Sequence, residues 1–159
     1  MAQSQCIMNS KIGPLFLVAT EFGLQAVSFE KQKVQMAVNL KGSSPEIKIL
    51  NKSIKQLQEY FSGQRKIFDL PLDLIGTEFQ RKVWHQLSKI KYGKTCSYKD
   101  IAHQIKNPKA FRAVGSANGK NPICIIIPCH RVIAADGSRG GYSGGPKIKT
   151  KLLELEGKF

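Results

Sequence analysis

The apolar positions of this chain change period part-way along it. Residues 5–9, 15–20 and 24–29 are short runs of strand-forming residues, separated by the turn signals Gly13-Pro14 and Glu21-Phe22-Gly23. They predict a small antiparallel meander. From Pro45 the period becomes helical. Ile47, Leu50, Ile54, Leu57 and Phe61 recur at three- and four-residue steps, and the pattern stops at Gly63. Lys and Gln fill the opposite face, so this helix is expected to pack on the meander. Residues 64–76, with Phe68, Leu70, Leu72 and Leu74 alternating around Pro71, read as a connector.

The rest of the chain predicts short helices. Thr77-Glu78-Phe79-Gln80 is a capping box, and Phe79, Val83, Trp84 and Leu87 form the apolar face behind it. Trp84 reads as a core anchor, and Tyr92-Gly93 closes this region. Ser97-Tyr98-Lys99-Asp100 opens a second helix that runs to about Ile105. Asn107-Pro108 breaks it, and Pro108 is expected at the first position of a third helix over 109–117. Two short helices with a tight turn make a helix-turn-helix. Ala113, Gly115, Ser116 and Ala117 would let the second approach either DNA groove closely, and periodicity does not choose between the grooves. Gly119 to Pro122 forms a turn. Ile125, Ile126 and Ile127 read as a buried strand-like run, bent by Pro128. Residues 134–145 hold five glycines and form a loop whose backbone can come near a ligand. No phosphate-loop lysine follows it, which argues against nucleoside triphosphate binding. Pro146 opens the last helix, with Leu152, Leu153 and Leu155 apolar and Gly157 as the stop. Glu156 lies at the end where the macrodipole disfavours an anion. The expected fold is α+β: a small N-terminal α/β domain with an antiparallel sheet over 1–70, then a mostly helical domain with the helix-turn-helix over 71–159.

Composition narrows the class. No apolar run in the 159 residues approaches the ~20 needed to cross a bilayer. The first ten residues lack the basic and apolar regions of a secretion signal. Cys6, Cys96, Cys124 and Cys129 form no CxxC and no metal spacing with the three histidines. A reduced, cytoplasmic protein is expected, with no membrane partner, disulfide framework, structural zinc or cofactor. Cys6 and Cys124 read as core residues. The net charge of +14 is uneven. Residues 1–75 carry 9 Lys+Arg and 6 Asp+Glu, or +3, while residues 76–159 carry 16 and 5, or +11. That asymmetry points the second half at a polyanion, most often nucleic acid.

Between two aliphatic runs stand Pro128-Cys129-His130-Arg131. This places a thiol, an imidazole and a guanidinium at the floor of a site. An unperturbed thiol is only ~3% ionised at neutral pH, and a neighbouring His and Arg would favour the thiolate. Adjacent residues of an extended chain point to opposite sides. A direct bond from Cys129 to His130 is therefore disfavoured, and a water relay or a sharp turn is required.

Several motifs keep one order over 71–157. They are Gly76-Thr77-Glu78-Phe79-Gln80 with Val83-Trp84, Ser97-Tyr98, Asn107-Pro108-Lys109-Ala110 with Arg112-Ala113-Val114-Gly115, Asn121-Pro122, Pro128-Cys129-His130-Arg131-Val132, Tyr142-Ser143-Gly144-Gly145, and Leu152-Leu153 with Glu156-Gly157. In these the second half resembles the methylated-DNA–protein-cysteine methyltransferases, or O6-alkylguanine-DNA alkyltransferases, in their bacterial single-function form. The first 70 residues match in general character only, as that family's small ribonuclease H-like domain.

The resemblance implies DNA repair by irreversible, single-turnover transfer of an alkyl group from O6-alkylguanine to Cys129, with O4-alkylthymine a second candidate substrate. His130 would act as base through a water, Glu156 would orient it, and Asn121 would brace the turn. Tyr98 would donate to guanine N3 and Ser143 would approach O6. Val132, Ser116 and Asn118 would complete the substrate and DNA contacts. Arg112 would enter from the minor groove of double-stranded DNA and fill the gap left by a flipped nucleotide. The protein would act as a monomer. Two other classes stand beside this reading. An alkyltransferase-like damage sensor would lack the nucleophile, whereas Cys129 is present. A cysteine hydrolase would need neither the helix-turn-helix nor the +11 half.

Overall fold

A computed structural model describes residues 2–134 and 142–158. The chain divides into two compact units, Met1–Ile75 and Gly76–Phe159. The division falls five residues beyond the 70/71 boundary expected from the pattern. Hydrogen bonds keep the intervening segment with the first unit: Leu24 N–H donates to Pro71 O, Asp73 N–H to Leu24 O, and Thr20 Oγ1 to Asp73 Oδ2 at 2.7 Å.

In the first unit β1 (Gln3–Met8), β2 (Leu15–Thr20) and β3 (Gly23–Ser28) form the antiparallel meander in the order β1-β2-β3. The register runs from Gln3 opposite Thr20 to Met8 opposite Leu15. β1 and β3 start and stop one or two residues earlier than their sequence pattern suggests. α1 (Pro45–Phe61) packs on this sheet. Pro45 sits at its first turn, where the missing N–H costs nothing. Ile47, Leu50, Leu57 and Phe61 are buried as their spacing predicts, but so is Gln56, from the face read as polar. The Gln56 amide donates to Asp69 O at 3.0 Å and accepts from Asp69 N–H at 2.9 Å. It thereby satisfies a connector that has no strand partner there.

The second unit opens with α2 (Glu78–Leu87). Its capping box is complete: Gln80 N–H donates to Thr77 Oγ1 at 3.1 Å and Thr77 N–H to Gln80 Oε1 at 2.9 Å. Trp84 is 2% exposed, and its indole N–H donates to Ala117 O at 2.8 Å. A Cβ on Gly76 would stand 2.5 Å from the Trp84 ring, so only glycine lets the chain pass there. α3 (Tyr98–Gln104) has its own box, built by Ser97 and Asp100. α4 (Phe111–Gly119) packs on both α2 and α3. It begins later than expected. Pro108 lies in a turn closed by Ala110 N–H to Asn107 O, and Val114 N–H to Ala110 O follows it.

Two further readings need correction. The isoleucine run is a turn and not a strand. Ile125 takes φ +75°, Ile126 N–H donates to Cys124 O, and Ile127 N–H to Ile123 O. Burial of Ile123, Ile125 and Ile127 is satisfied by a folded backbone as well as by an extended one. Two short strands that no periodicity announced, β4 (Cys96–Ser97) and β5 (Val132–Ile133), pair in parallel. They tie the entry of α3 to the residues just after His130 and Arg131. α5 (Pro146–Leu155) completes the unit and packs on Cys129–Arg131. Most of the glycine-rich loop, residues 135–141, lies outside the described residues. Among the described residues no helix is long and apolar enough to cross a membrane.

Candidate active site

The site is built on one turn and one helix. Asn121 braces the turn: its Nδ2 donates to Ile127 O at 2.8 Å and its Oδ1 accepts from Ile123 N–H at 3.0 Å. After Pro128, Cys129–Arg131 wind into a single 3-10 turn, held by Cys129 N–H to Ile127 O and Arg131 N–H to Pro128 O. This is the sharp turn that the adjacency of Cys129 and His130 required. Cys129 is 2% exposed, His130 0% and Arg131 6%.

α5 supplies the other side. Lys149, Leu152, Leu153 and Glu156 fall at i, i+3, i+4 and i+7, a single helical stripe, and all four are buried. The leucines bury the middle of the stripe, and the charges at its ends reach the turn. Glu156 receives His130 Nε2 at 2.7 Å, Arg131 Nε at 2.8 Å and Arg131 Nη2 at 3.0 Å. Arg131 Nη1 donates to Ile90 O at 2.7 Å, and the guanidinium lies 5.7 Å from the Tyr92 ring centroid. Lys149 Nζ donates to Val132 O at 2.6 Å. Glu156 thus tolerates the unfavourable end of its helix because a buried fork and an imidazole face it.

These partners set the charges. Burial would raise the Glu156 carboxyl, but the hydrogen bonds from His130 and Arg131 outweigh it and bring it from 4.5 to about 2. Burial lowers His130 further than its bond to Glu156 raises it, and Arg131 and Lys149 push the same way. The imidazole is therefore neutral. A carboxylate can only accept, so the ring hydrogen sits on Nε2 and Nδ1 is a bare acceptor. His130 Nδ1 is buried with no hydrogen-bond partner among the described residues.

Cys129 departs from expectation. Its thiol is held well above the ordinary range, by Cys124 first and burial second, against weaker pulls from Asn121 and Lys149. Cys124 is lowered, chiefly by the hydrogen bond from Cys129. The two thiols share one ionisation, and Cys129 rests protonated. The neighbours expected to favour a thiolate do not supply the charge: Arg131 is neutralised by Glu156, and His130 is uncharged. Among the described residues Lys149 also acts on the thiol; burial lowers it from 10.5 to about 8 while Cys129 opposes the shift.

The other predicted residues fall into two groups. Tyr98 opens α3 half-buried, and its phenol is raised by burial first and by charge on Cys129 second. Ser143 Oγ lies 3.7 Å from Cys124 Sγ. Val132 buries its side chain, and its carbonyl accepts from Lys149 Nζ. Arg112 and Ser116 are both exposed, four residues apart on the outer face of α4. Asn118 was expected to meet DNA, but it lies on the inner face. It is 4% exposed, and its amide donates to Cys129 O at 3.4 Å. Helical spacing carries Asn118 inward with Val114 and Ala117.

Sequence reasoning assigned no role to Lys149, read Cys124 as core, and read Arg131 as a cation favouring the thiolate rather than as a partner of Glu156. The stripe 149, 152, 153, 156 carried the signal for Lys149. Among the described residues no group of three or more His, Cys, Asp or Glu could hold a metal ion.

The family model described as 6-O-methylguanine DNA methyltransferase, DNA binding domain, matches residues 78–158. Its companion, the ribonuclease-like domain of the same protein, matches residues 6–74. The chain belongs to the 6-O-methylguanine DNA methyltransferase family. A relative named methylated-DNA–protein-cysteine methyltransferase, from Methanosarcina acetivorans, is 48% identical over 95% of this chain and 96% of its own length. A relative of the same name from Mycobacterium leprae is 46% identical over 94% of this chain and 89% of its own. The crystal structure of Mycobacterium tuberculosis O6-methylguanine methyltransferase superposes with a TM-score of 0.84 at 41% identity, covering 98% of this chain and 93% of that one. The structure of Mycobacterium tuberculosis OGT in complex with DNA gives 0.82 at 44% identity, covering 97% and 91%. Within this methyltransferase family fold, the 3-10 turn and the α5 stripe carry the candidate chemistry.

Proposed function

We propose that this protein repairs DNA by moving the alkyl group of O6-alkylguanine onto Cys129, once per molecule. One observation carries the reading. A free, buried thiol stands in the same tight turn as a neutral imidazole, whose Nε2 is committed to Glu156 and whose Nδ1 is left as an unpartnered base. Cys129 must lose its proton to attack, and His130 Nδ1 takes it through an intervening water. The imidazolium so formed faces Glu156, already ionised at 2.7 Å. The sulfur forms a bond to the alkyl carbon as the carbon–oxygen bond breaks, and guanine leaves. Lys149 adds positive charge beside the developing thiolate. The Tyr98 hydroxyl donates to the leaving base at N3, Ser143 approaches O6, and Asn121 holds the turn in register. O4-alkylthymine offers the same kind of alkyl–oxygen bond and is a second candidate substrate.

The outer face of α4 is the DNA contact. Arg112 and Ser116 are exposed on it, and the half of the chain around it carries +11. In this reading the protein acts as a cytoplasmic monomer on double-stranded DNA. α4 lies in the minor groove, and Arg112 takes the place of the flipped nucleotide. The test is mass spectrometry after incubation with O6-methylguanine DNA. The tryptic peptide spanning 121–131 should gain about 14 Da, the mass of CH2, from nucleophilic alkyl acceptance. That peptide holds both Cys124 and Cys129, so fragmentation must place the gain on Cys129. A Cys129→Ser variant should gain nothing. Alkylation of Cys124 alone would overturn the assignment.

A further inference from the structure

Cys124 has no part in the reaction above, yet it is among the best-placed side chains in the turn. It is 3% exposed and Cys129 2%, and both are free thiols. The positive φ at Ile125, with the hydrogen bonds from Ile126 to Cys124 O and from Ile127 to Ile123 O, folds the chain back within five residues. The fold-back turns Cys124 toward Cys129, and each thiol is the leading influence on the other's ionisation. Asn121 anchors both ends, with its carbonyl 3.9 Å from Cys124 Sγ and its amide on Ile127 O. Ser143, whose Oγ is 3.7 Å from Cys124 Sγ, is exposed, so the sulfur pair lies one residue below the surface.

We propose that Cys124 is a resolving thiol for Cys129: a hydroperoxide oxidises the pair to a reversible disulfide that protects the alkyl acceptor. The inference rests on the reading of Cys129 as that acceptor. In the first step one thiolate of the pair attacks a peroxide oxygen. The O–O bond breaks, a sulfenic acid forms, and the departing hydroxide takes up the thiol proton as water. The neighbouring sulfur then attacks the sulfenic sulfur. The S–S bond forms, the S–O bond breaks, and a second water leaves. Two thiols lose two electrons and hydrogen peroxide is reduced to two waters. Either sulfur can go first, since whichever thiol loses its proton is the one that attacks.

The consequence matters because the acceptor is used once. A lone sulfenic acid advances to sulfinic and sulfonic acids, from which thiols give no return. A disulfide returns to two thiols on reduction, and in a reduced compartment such bonds are transient ones. An apolar residue at position 124 would fill the same space without offering this protection.

The test uses the full chain. Wild type and Cys124→Ser are treated with hydrogen peroxide, blocked with iodoacetamide in denaturant, and digested with trypsin, which frees the 121–131 peptide. In wild type that peptide should be about 2 Da lighter, the two hydrogens lost to the S–S bond, and closed to iodoacetamide until dithiothreitol is added. Dithiothreitol should then restore most of the alkyl-transfer burst. In Cys124→Ser the same dose should drive Cys129 to sulfinic and sulfonic forms, with several-fold less of that variant's own burst recovered. Two outcomes overturn the proposal: both cysteines of wild type staying open to iodoacetamide at inactivating doses, or equal recoverable fractions in the two proteins. The peptide mapping does not depend on transfer. A mapped disulfide in a protein that never accepts an alkyl group would sink the acceptor reading alone, and transfer without the disulfide would sink this one alone.

Discussion

Replacing Glu156 by glutamine keeps the shape of the side chain and removes its charge. The fold depends on that charge in two ways. Arg131 is 6% exposed and directs both Nε and Nη2 at the carboxylate, and His130 Nε2 meets it at 2.7 Å. A drop from 4.5 to about 2 in the carboxyl corresponds to about 3 kcal/mol of preferential stabilisation of the ionised form in the fold. Because the folded value is depressed, this stability is present above about pH 4.5 and is lost as pH falls toward 2. Breaking a buried ion pair by removing one partner costs about 3–5 kcal/mol, since the other charge is left unpaired. His130 contributes to the shift but is neutral near pH 7, so the lower figure is the one to expect. Glu156→Gln should therefore lower the unfolding free energy by about 3 kcal/mol at pH 7. That leaves a folded protein if the starting value is in the usual range of about 5–15 kcal/mol.

Urea unfolding followed through Trp84, the single tryptophan, reads the unit that holds the site. A second variant separates lost charge from lost shape. Arg131→Met alone should also be costly, and the double variant should cost at least about 1 kcal/mol less than the two single effects added, because neither charge is then stranded. A loss below about 1 kcal/mol for Glu156→Gln, or additive effects within about 0.5 kcal/mol, would refute the account of the pair as a buried, mutually dependent unit.

Four further outcomes are expected. Arg112→Ala should slow repair of duplex DNA by ~10-fold or more while sparing reaction with O6-benzylguanine as the free base, since only the duplex needs unstacking; equal losses would move Arg112 out of that role. DNA affinity should fall steeply with salt and vary little with sequence, and a flat salt response in titrations would leave the +11 half without its partner. The transfer rate should hold as pH falls through 6.5, because burial lowers His130 and keeps it a free base below its ordinary value; single-turnover rates that halve at or above pH 6.5 would contradict this. With excess methylated DNA the reaction should stop at one alkyl group per Cys129, because a thioether has no proton to lose and no carbonyl for water to attack; sustained turnover with Cys129 recovered unmodified would exclude the mechanism.

Local signals were legible where one element could satisfy them by itself. α1 follows from Pro45 and the steps from Ile47 to Phe61, and the capping box at Thr77 and Gln80 forms as its residue types require. The turn of the candidate site was legible as chemistry but not as backbone. Three isoleucines look alike in a strand and in a turn, and only the φ of Ile125 separates the two. The two-residue ladder of β4 and β5 is too short for any period to register. The electrostatics were misjudged for a related reason. Arg131 adjoins His130 in sequence, yet its partner is Glu156, 25 residues on, so proximity along the chain assigned its charge to the wrong group. Asn118 shows the limit of carrying a role over from a resemblance: the resemblance implied a substrate or DNA contact, and its phase on α4 turns it inward, with its amide on Cys129 O.

A protonated Cys129 looks at first like a poor nucleophile, but it suits the single-use acceptor proposed above. A resting thiolate would react with any small alkylating electrophile that reached it, and each such event would spend the molecule. The neighbouring Cys124 and burial hold the proton on the resting thiol. In the proposed reaction its removal falls to His130. His130 Nδ1 has no competing protein partner among the described residues, Glu156 is already ionised to meet the imidazolium, and Lys149 stands by the sulfur where negative charge develops. Each of these groups is in position before the reaction, so little reorganisation accompanies the proton transfer. The same arrangement explains why two charged residues sit at the ends of the buried stripe of α5. In the proposed reaction Lys149 serves the sulfur and Glu156 serves the base, and the leucines between them fix the spacing at two helical turns.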